Sequence, residues 1–115
     1  MKKVEAIVRK SKFREVKKAL LDEGYKYFTY WMVRDMGQDH ETRIYRGVTY
    51  KTPADERIWL SMILNANAVD KVIGIILASG KTGDAGDGRI FITNLEDAYR
   101  IRTGERGDES INFNA

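Results

Sequence analysis

The chain of 115 residues contains no cysteine, one histidine and one proline. Without cysteine it forms no disulfide framework, no thiolate metal site and no cysteine nucleophile. His40 has no second histidine with which to share a metal or relay a proton. No apolar run approaches the ~20 residues of a membrane span, and the opening MKKVEAIVRK lacks the apolar core of a signal peptide. We therefore expect one soluble domain, in the cytoplasm and not inserted in a membrane.

A large excess of one charge is also missing. The 20 basic and 17 acidic residues leave a net charge of +3. Most of the imbalance lies in residues 1–20, where lysine and arginine far outnumber Glu5 and Glu15. A basic first helix is one signal of a nucleic-acid-binding module, but no aromatic stacking platform accompanies it here. We therefore expect no nucleic-acid partner and keep that class as the last alternative.

Hydrophobic periodicity predicts two strand–helix–strand units. The alternation over 2–9 predicts a strand, followed by a helix that Ser11 caps and Gly24 ends, and then a strand over 25–34. A second unit is predicted from a strand over 57–64, a helix capped by Asn67 and ended by Gly80, and a strand over 89–93. The apolar face of the second helix is predicted to hold Val69, Val72, Ile73, Ile76 and Leu77.

This order predicts the α+β class and a ferredoxin-like βαββαβ fold, with a four-stranded antiparallel sheet and both helices on one face. The uncovered face would carry Ile7, Trp59 and Ile63, which is too apolar a surface to leave in water. A homo-oligomer is therefore expected.

Residues 35–56 show no periodicity and are too long for an ordinary connection. Structureless segments of this length in a small domain are usually functional or disordered, and Ile44, Tyr45 and Tyr50 argue against disorder. A passive extended hairpin remains the alternative interpretation.

Two segments could bind an anion. Residues 83–88, GDAGDG, could form a nest of backbone N–H groups for phosphate, or only a tight turn between helix and strand. They do not match the dinucleotide fingerprint. Gly80, Lys81 and Thr82 before them resemble the end of a P-loop, but that motif would need glycine at Ile75. Arg100 and Arg102, on a segment predicted to be extended, could grip phosphate oxygens together. The alternative for the arginines is ion pairing with Glu96, Asp97 or Glu105.

Four segments in order together resemble the PII signal-transduction family of GlnB/GlnK-type regulators. They are MKKVEAIVRKSKFREVKKALLDEG, IYRGVTY, KTGDAGDGRIF and RIRTGERGDESI. The resemblance implies a trimer of ferredoxin-like subunits, with ATP and ADP competing for clefts between neighbours. It also implies a single domain over 1–115, with a T-loop at 36–54, a B-loop at 81–89, and a C-loop at 95–109 that continues into a tail to 115.

The resemblance also implies site residues by position. The phosphates would be held by Gly86, Asp87, Gly88 and Arg89, joined by Arg100 and Arg102 from the neighbouring subunit. The nucleoside end would be lined by Thr29, Gly37 and Ile63, with Ile7 close by. Arg57 matches a lysine that pairs with a 2-oxoglutarate carboxylate. Gln38 matches the glutamine that ligates Mg²⁺ when 2-oxoglutarate binds with ATP, if a one-residue deletion precedes it.

The T-loop would bind the partner. Arg46 matches an arginine inserted into the mouth of an ammonium transporter, Tyr50 matches a tyrosine that some members have nucleotidylated, and Tyr45 lies beside them. The chain departs from the family in GQDHETR, and at Lys10, Asp35, Ser61 and Asp84. Asp35 and Asp39 would place negative charge near polyphosphate and 2-oxoglutarate, which opposes binding. The pattern therefore favours adenine-nucleotide binding over 2-oxoglutarate sensing, and modification of Tyr50 is not favoured.

The leading hypothesis is a non-enzymatic regulator that senses ATP or ADP and controls a membrane transporter or a nitrogen-metabolism enzyme. The alternative is a small enzyme, either a slow ATPase that uses Asp87 or a ferredoxin-like catalyst that uses His40.

Overall fold

The computed structural model describes residues 1–36, 42–45, 48–51 and 55–111. Two α-helices and six strands follow one another along these residues. They are β1 (Lys2–Arg9), α1 (Lys10–Asp22), β2 (Thr29–Asp35), β3 (Thr42–Tyr45), β4 (Val48–Lys51), β5 (Asp55–Leu64), α2 (Val69–Gly80) and β6 (Gly88–Asn94). Short 3₁₀ turns cover Ala66–Ala68 and Gly107–Ile111.

Four of the strands form one antiparallel sheet in the order β2-β5-β1-β6. With α1 and α2, these strands give the predicted βαββαβ ferredoxin-like fold. Strands β3 and β4 form a separate two-stranded ribbon inserted between β2 and β5. In the main sheet, β1 is central, between β5 and β6, and β6 is an edge strand. The loops that flank these strands therefore lie at the two ends of β1.

One face of the sheet is buried under both helices. Alternate residues of β1 and β5 are buried there, as their period of two predicts, and pack against the apolar stripes of the helices. The buried cluster consists of Val4, Ala6, Val8, Val16, Leu20, Ile58, Leu60, Met62, Leu64, Val69, Val72 and Ile76. Both helices therefore cover the same face of the sheet, as predicted.

The opposite face of the sheet carries a row of three aromatic side chains. The rings of Trp31 and Trp59 are stacked with centroids 6.0 Å apart, and the ring of Phe91 lies 6.2 Å from that of Trp59. The indole Nε1 of Trp59 donates to Glu5 Oε2 at 2.8 Å, which fixes the middle ring. Trp31 is 43% exposed and Phe91 is 40% exposed. The predicted apolar surface on this face is confirmed.

The predicted helix caps are wrong. Helix α1 begins at Lys10 directly after β1, with Arg9 at its N-cap, and Ser11 lies inside the helix. Asn67 lies in the 3₁₀ turn, and Ala68 occupies the N-cap of α2. Neither helix has a side-chain cap hydrogen bond. Packing of the apolar faces onto the sheet stabilises both helices without this local signal.

Other details of the elements were not predicted from the sequence. Strand β2 begins at Thr29, because Tyr25 N–H donates to Leu20 O and keeps Tyr25 against the end of α1. Leu77 is 58% exposed, because it faces the groove beside the edge strand β6 and not the core. Part of the segment 35–56 is the antiparallel ribbon of β3 and β4, which agrees with the extended hairpin of the alternative interpretation. Its strands of four residues are too short for alternation to be recognised.

Neither helix in the described part of the chain has the length and apolar character needed to cross a bilayer.

Candidate functional site

The glycine-rich segment connects α2 to β6, and we call residues 81–88 the glycine loop. Gly83, Gly86 and Gly88 have φ angles of +92°, +95° and +103°, a region that other residues rarely adopt. Gly88 also lies against β1: a Cβ there would be 1.7 Å from the carbonyl oxygen of Ile7. The glycine cluster is therefore required by the path of the backbone itself.

The carboxylate of Asp87 organises the glycine loop. It accepts hydrogen bonds from the backbone N–H groups of Thr82 at 3.0 Å and Gly83 at 2.9 Å, and from the Thr82 hydroxyl. It also accepts from Arg9 Nε at 2.9 Å. The Thr82 hydroxyl, the Arg9 guanidinium and the Gly83 N–H hold the pKa of the Asp87 carboxyl far below its usual range. A carboxylate with so little affinity for a proton is a weak base, which argues against Asp87 as the base of an ATPase.

Two arginines tie the glycine loop to the sheet. Arg9 and Arg57 are register partners at the ends of β1 and β5. Arg9 Nη2 donates to Ala85 O at 2.8 Å, and Arg57 Nη1 donates to Gly86 O. Arg57 is only 5% exposed. The side chain that the resemblance assigns to 2-oxoglutarate is thus packed against the loop backbone.

Ile7 and Arg89 complete this end of the sheet. They are register partners on β1 and β6, on the face that also carries the aromatic row. Ile7 is half-buried, whereas Arg89 is exposed. Six of the predicted site residues therefore lie together at what we call the glycine-loop end of the sheet: Ile7, Arg57, Gly86, Asp87, Gly88 and Arg89.

Thr29 and Ile63 lie elsewhere, in a groove of about 400 Å³ at the other end of the sheet. Residues 26–28 and Ser61 also line this groove. Ser61 is the register partner of Thr29 on the neighbouring strand. The structure thus brings Thr29 and Ile63 together in one groove.

Arg100 and Arg102 lie on a closed hairpin. Tyr99 and Arg106 form an isolated β-bridge, Arg100 N–H donates to Glu105 O at 2.8 Å, and residues 101–103 form a turn. The prediction of an extended segment is therefore wrong, because these backbone hydrogen bonds fold it. Arg100 Nη1 lies 3.6 Å from Glu105 Oε2, and Nη2 donates to Glu109 O at 3.3 Å. Arg102 is exposed.

Within one chain, the glycine loop and this arginine pair do not meet. Strand β6 pairs with β1 from Gly88 opposite Val8 to Asn94 opposite Lys2. Six strand steps separate its two ends by about 20 Å. Leu95 N–H then donates to Met1 O, so the hairpin segment leaves from the far end of β6. The predicted site residues are thus divided between two half-sites at opposite ends of the sheet.

The remaining predicted site residues fall within 36–54, the predicted T-loop. Tyr45 ends β3 and Tyr50 lies in β4, where its register partner is Arg43. Gly37, Gln38 and Arg46 lie outside the described residues, as do Asp39 and His40.

Arg9 and Thr82 both bind Asp87 but were not among the predicted site residues. The only available signal for Thr82 was a hydroxyl residue five positions before an aspartate in a turn, a pattern typical of local side-chain-to-backbone bonding. Arg9 gave no signal, since it lies 78 residues from Asp87 in the chain.

The chain is similar to known proteins over nearly its whole length. A sequence model of the family described as "Nitrogen regulatory protein P-II" matches residues 1–105. The chain is 42% identical over 112 residues to the nitrogen regulatory protein P-II of Nostoc punctiforme, which covers 96% of this chain and the whole of that protein. Over the same shares, it is 39% identical to the protein of that name from Synechocystis sp. and 38% identical to the one from Azospirillum brasilense.

Proposed function

The chain belongs to the P-II family of nitrogen regulatory proteins, and on that premise we propose that it binds ATP or ADP in clefts between the subunits of a homotrimer. The T-loop, residues 36–54, then controls a partner, either a membrane transporter or an enzyme of nitrogen metabolism. The protein acts in the cytoplasm as a regulator and not as an enzyme.

The observation that carries this proposal is the division of the site into two half-sites. Each chain presents a glycine loop at one end of its sheet and Arg100 and Arg102 at the other. A head-to-tail arrangement of copies joins the glycine loop of one subunit to the arginines of the next. Head-to-tail contacts that close produce a ring, and a trimer is a small ring of this kind.

The charges at the two half-sites support a polyphosphate ligand. Arg89 is exposed at one half-site, and Arg102 is exposed at the other. Brought together by neighbouring subunits, these guanidinium groups would repel each other unless an anion lay between them. A polyphosphate satisfies both, because guanidinium groups bind phosphate oxygens in bidentate fashion. Gly86, Asp87 and Gly88 shape the backbone around it. The nucleoside contacts Ile7 of the same subunit and Thr29 and Ile63 of the neighbouring subunit.

The open face of the sheet supports assembly. Trp31, Trp59 and Phe91 form a continuous aromatic surface on the face opposite the helices. Surfaces of this kind usually mark interfaces between chains. In the proposed trimer, the three sheets turn these faces towards one another.

Control of the partner would proceed by population shift. ATP and ADP would favour different T-loop conformations, so the bound nucleotide sets the affinity for the partner. Tyr45, Arg46 and Tyr50 are the proposed partner-binding residues. Gly37 and Gln38 are proposed to approach the nucleotide. Gln38 would ligate Mg²⁺ only if 2-oxoglutarate bound together with Mg-ATP.

Calorimetric titration with ADP and with Mg-ATP tests the proposal. We expect saturable binding of each nucleotide with about one site per chain and mutual competition, because each ring interface forms one cleft. Light scattering on the same sample should give the mass of three chains.

Turnover is the control for this titration. The nucleotide should be recovered unchanged, because the Asp87 carboxylate is committed to four hydrogen-bond donors. Failure to bind either nucleotide would contradict the regulator hypothesis. Hydrolysis that Asp87→Asn abolishes would favour the ATPase.

Added 2-oxoglutarate is expected to produce no further heat beside Mg-ATP. Arg57 is buried and donates to Gly86 O, so a carboxylate would have to displace that contact. Asp35 ends β2, where the T-loop begins, and adds negative charge there. The comparison is Mg-ATP titrated with and without 2-oxoglutarate, and a tightening of Mg-ATP binding in its presence would contradict the expectation.

A further inference from the structure

We propose that Arg9 is a positioning residue for nucleotide binding, which holds the glycine loop in shape and neutralises Asp87 so that the loop accepts polyphosphate. This inference rests on the proposed function. It concerns a residue that the resemblance does not assign to the site.

The contacts of Arg9 give it this role. Its guanidinium spans two loop residues at once, since Nε donates to Asp87 Oδ1 at 2.9 Å and Nη2 donates to Ala85 O at 2.8 Å. The two side chains of the ion pair are only 25% and 26% exposed, so water screens their attraction less than at an open surface. A planar fork of donors matches this geometry, whereas the point charge of lysine does not.

The backbone anchor of Arg9 makes the contact rigid. Arg9 is the last residue of β1 and the N-cap of α1, so its Cα is held by both elements. Its register partner Arg57 holds the next loop carbonyl, that of Gly86. The conformation of the loop from Ala85 to Asp87 is therefore fixed by side chains at the end of the sheet.

The charge of Asp87 gives Arg9 a second role. Asp87 lies between Gly86 and Gly88, the backbone proposed to surround the phosphates. An uncompensated carboxylate there would repel a polyanion. Arg9 supplies the compensating charge in direct contact. ATP carries one more phosphate than ADP, so the loss of Arg9 should weaken ATP binding more than ADP binding.

The test compares Arg9→Gln, Arg9→Lys, Asp87→Asn and the double variant Arg9→Gln/Asp87→Asn by calorimetry with ATP and with ADP. Lys18→Gln is the matched control, because it removes one positive charge from an exposed pair on α1. We expect Arg9→Gln to raise the Kd for ATP about tenfold and that for ADP by less. The Kd values of Arg9→Lys should lie between those of the wild type and Arg9→Gln. Those of Lys18→Gln should equal the wild-type values.

Two results separate positioning from a merely structural role. The double variant should return the ratio of ATP to ADP affinity to the wild-type value, because it removes the charge that Arg9 neutralised. If Arg9→Gln raised the Kd values for ATP and ADP equally, and the double variant did not reverse this loss, the proposal would be overturned. So would unchanged Kd values in Arg9→Gln.

A readout without nucleotide separates this proposal from the proposed function. Hydrogen exchange of the Thr82 and Gly83 amides, both bonded to Asp87, should accelerate in Arg9→Gln and not in Lys18→Gln. If the wild type bound no nucleotide, the proposed function would fail, while faster exchange would still establish that Arg9 positions the loop. Unchanged exchange would overturn the positioning role itself.

Discussion

A Gly88→Ala variant is expected to lose at least ~3 kcal/mol of unfolding free energy. The added Cβ would lie 1.7 Å from Ile7 O and 2.8 Å from the Ile7 carbonyl carbon, and both are backbone atoms. The φ angle of +103° adds strain that alanine cannot relieve. The backbone has little freedom to move away, because Val8 and Gly88 are paired where β6 begins.

Chemical denaturation followed by circular dichroism measures this loss. Gly74→Ala is the matched control: Gly74 lies inside α2, nothing lies within 4 Å of its added Cβ, and φ is ordinary. That variant should be as stable as the wild type or more stable by up to ~1 kcal/mol, since alanine favours a helix. Equal stability of Gly74→Ala and Gly88→Ala would contradict the close approach of β6 to β1.

Two single-site variants are expected to lose nucleotide affinity by about 10- to 100-fold, as the removal of a charged hydrogen-bond donor predicts. They are Arg89→Ala at the glycine-loop end and Arg102→Ala on the hairpin. Both side chains are exposed, so their removal leaves the core intact. Calorimetry with ATP measures the loss, and light scattering checks that each variant still assembles.

Coexpression of these two variants is the sharper test. An Arg102→Ala chain keeps Arg89 at its glycine loop, and an Arg89→Ala chain keeps Arg102 on its hairpin. In a mixed ring, a cleft between that glycine loop and that hairpin contains both arginines and is intact. Random mixing of equal amounts produces this combination in about one quarter of the clefts. Each variant alone serves as its own control. If no tight sites reappeared, both arginines would have to act within one chain, and the half-site arrangement would be wrong.

The framework of the fold was predictable because it depends on local patterns. Alternation over Val4, Ala6 and Val8 identifies both a strand and its buried face, and those residues are buried. The same alternation placed Ile7 and Trp59 on the other face, where the aromatic row lies. Hydrophobic periodicity reports only on which face of an element a side chain lies. It therefore predicts an element correctly wherever one face of that element is buried.

The organisation of the site was not predictable from such patterns. The hydrogen bond from Arg9 to Asp87 depends on the pairing of the first and last strands, which no local signal reports. The turn that folds Arg100 and Arg102 depends on hydrogen bonds between backbone atoms. The caps at Ser11 and Asn67 failed for the opposite reason: local propensity was present, but tertiary packing determined the helix starts.

In the proposed trimer, the aromatic row on the open face would make the stability of the fold depend on protein concentration. Trp31 and Phe91 are two-fifths exposed in a single chain, so their remaining apolar surface would be buried only when copies assemble. In the proposed trimer, unfolding and dissociation are then one equilibrium, whose midpoint rises with chain concentration by mass action. Nucleotide bound between subunits would shift the same equilibrium towards the folded trimer. The level of expression in the cell would therefore itself affect how much of the regulator is able to sense its effector.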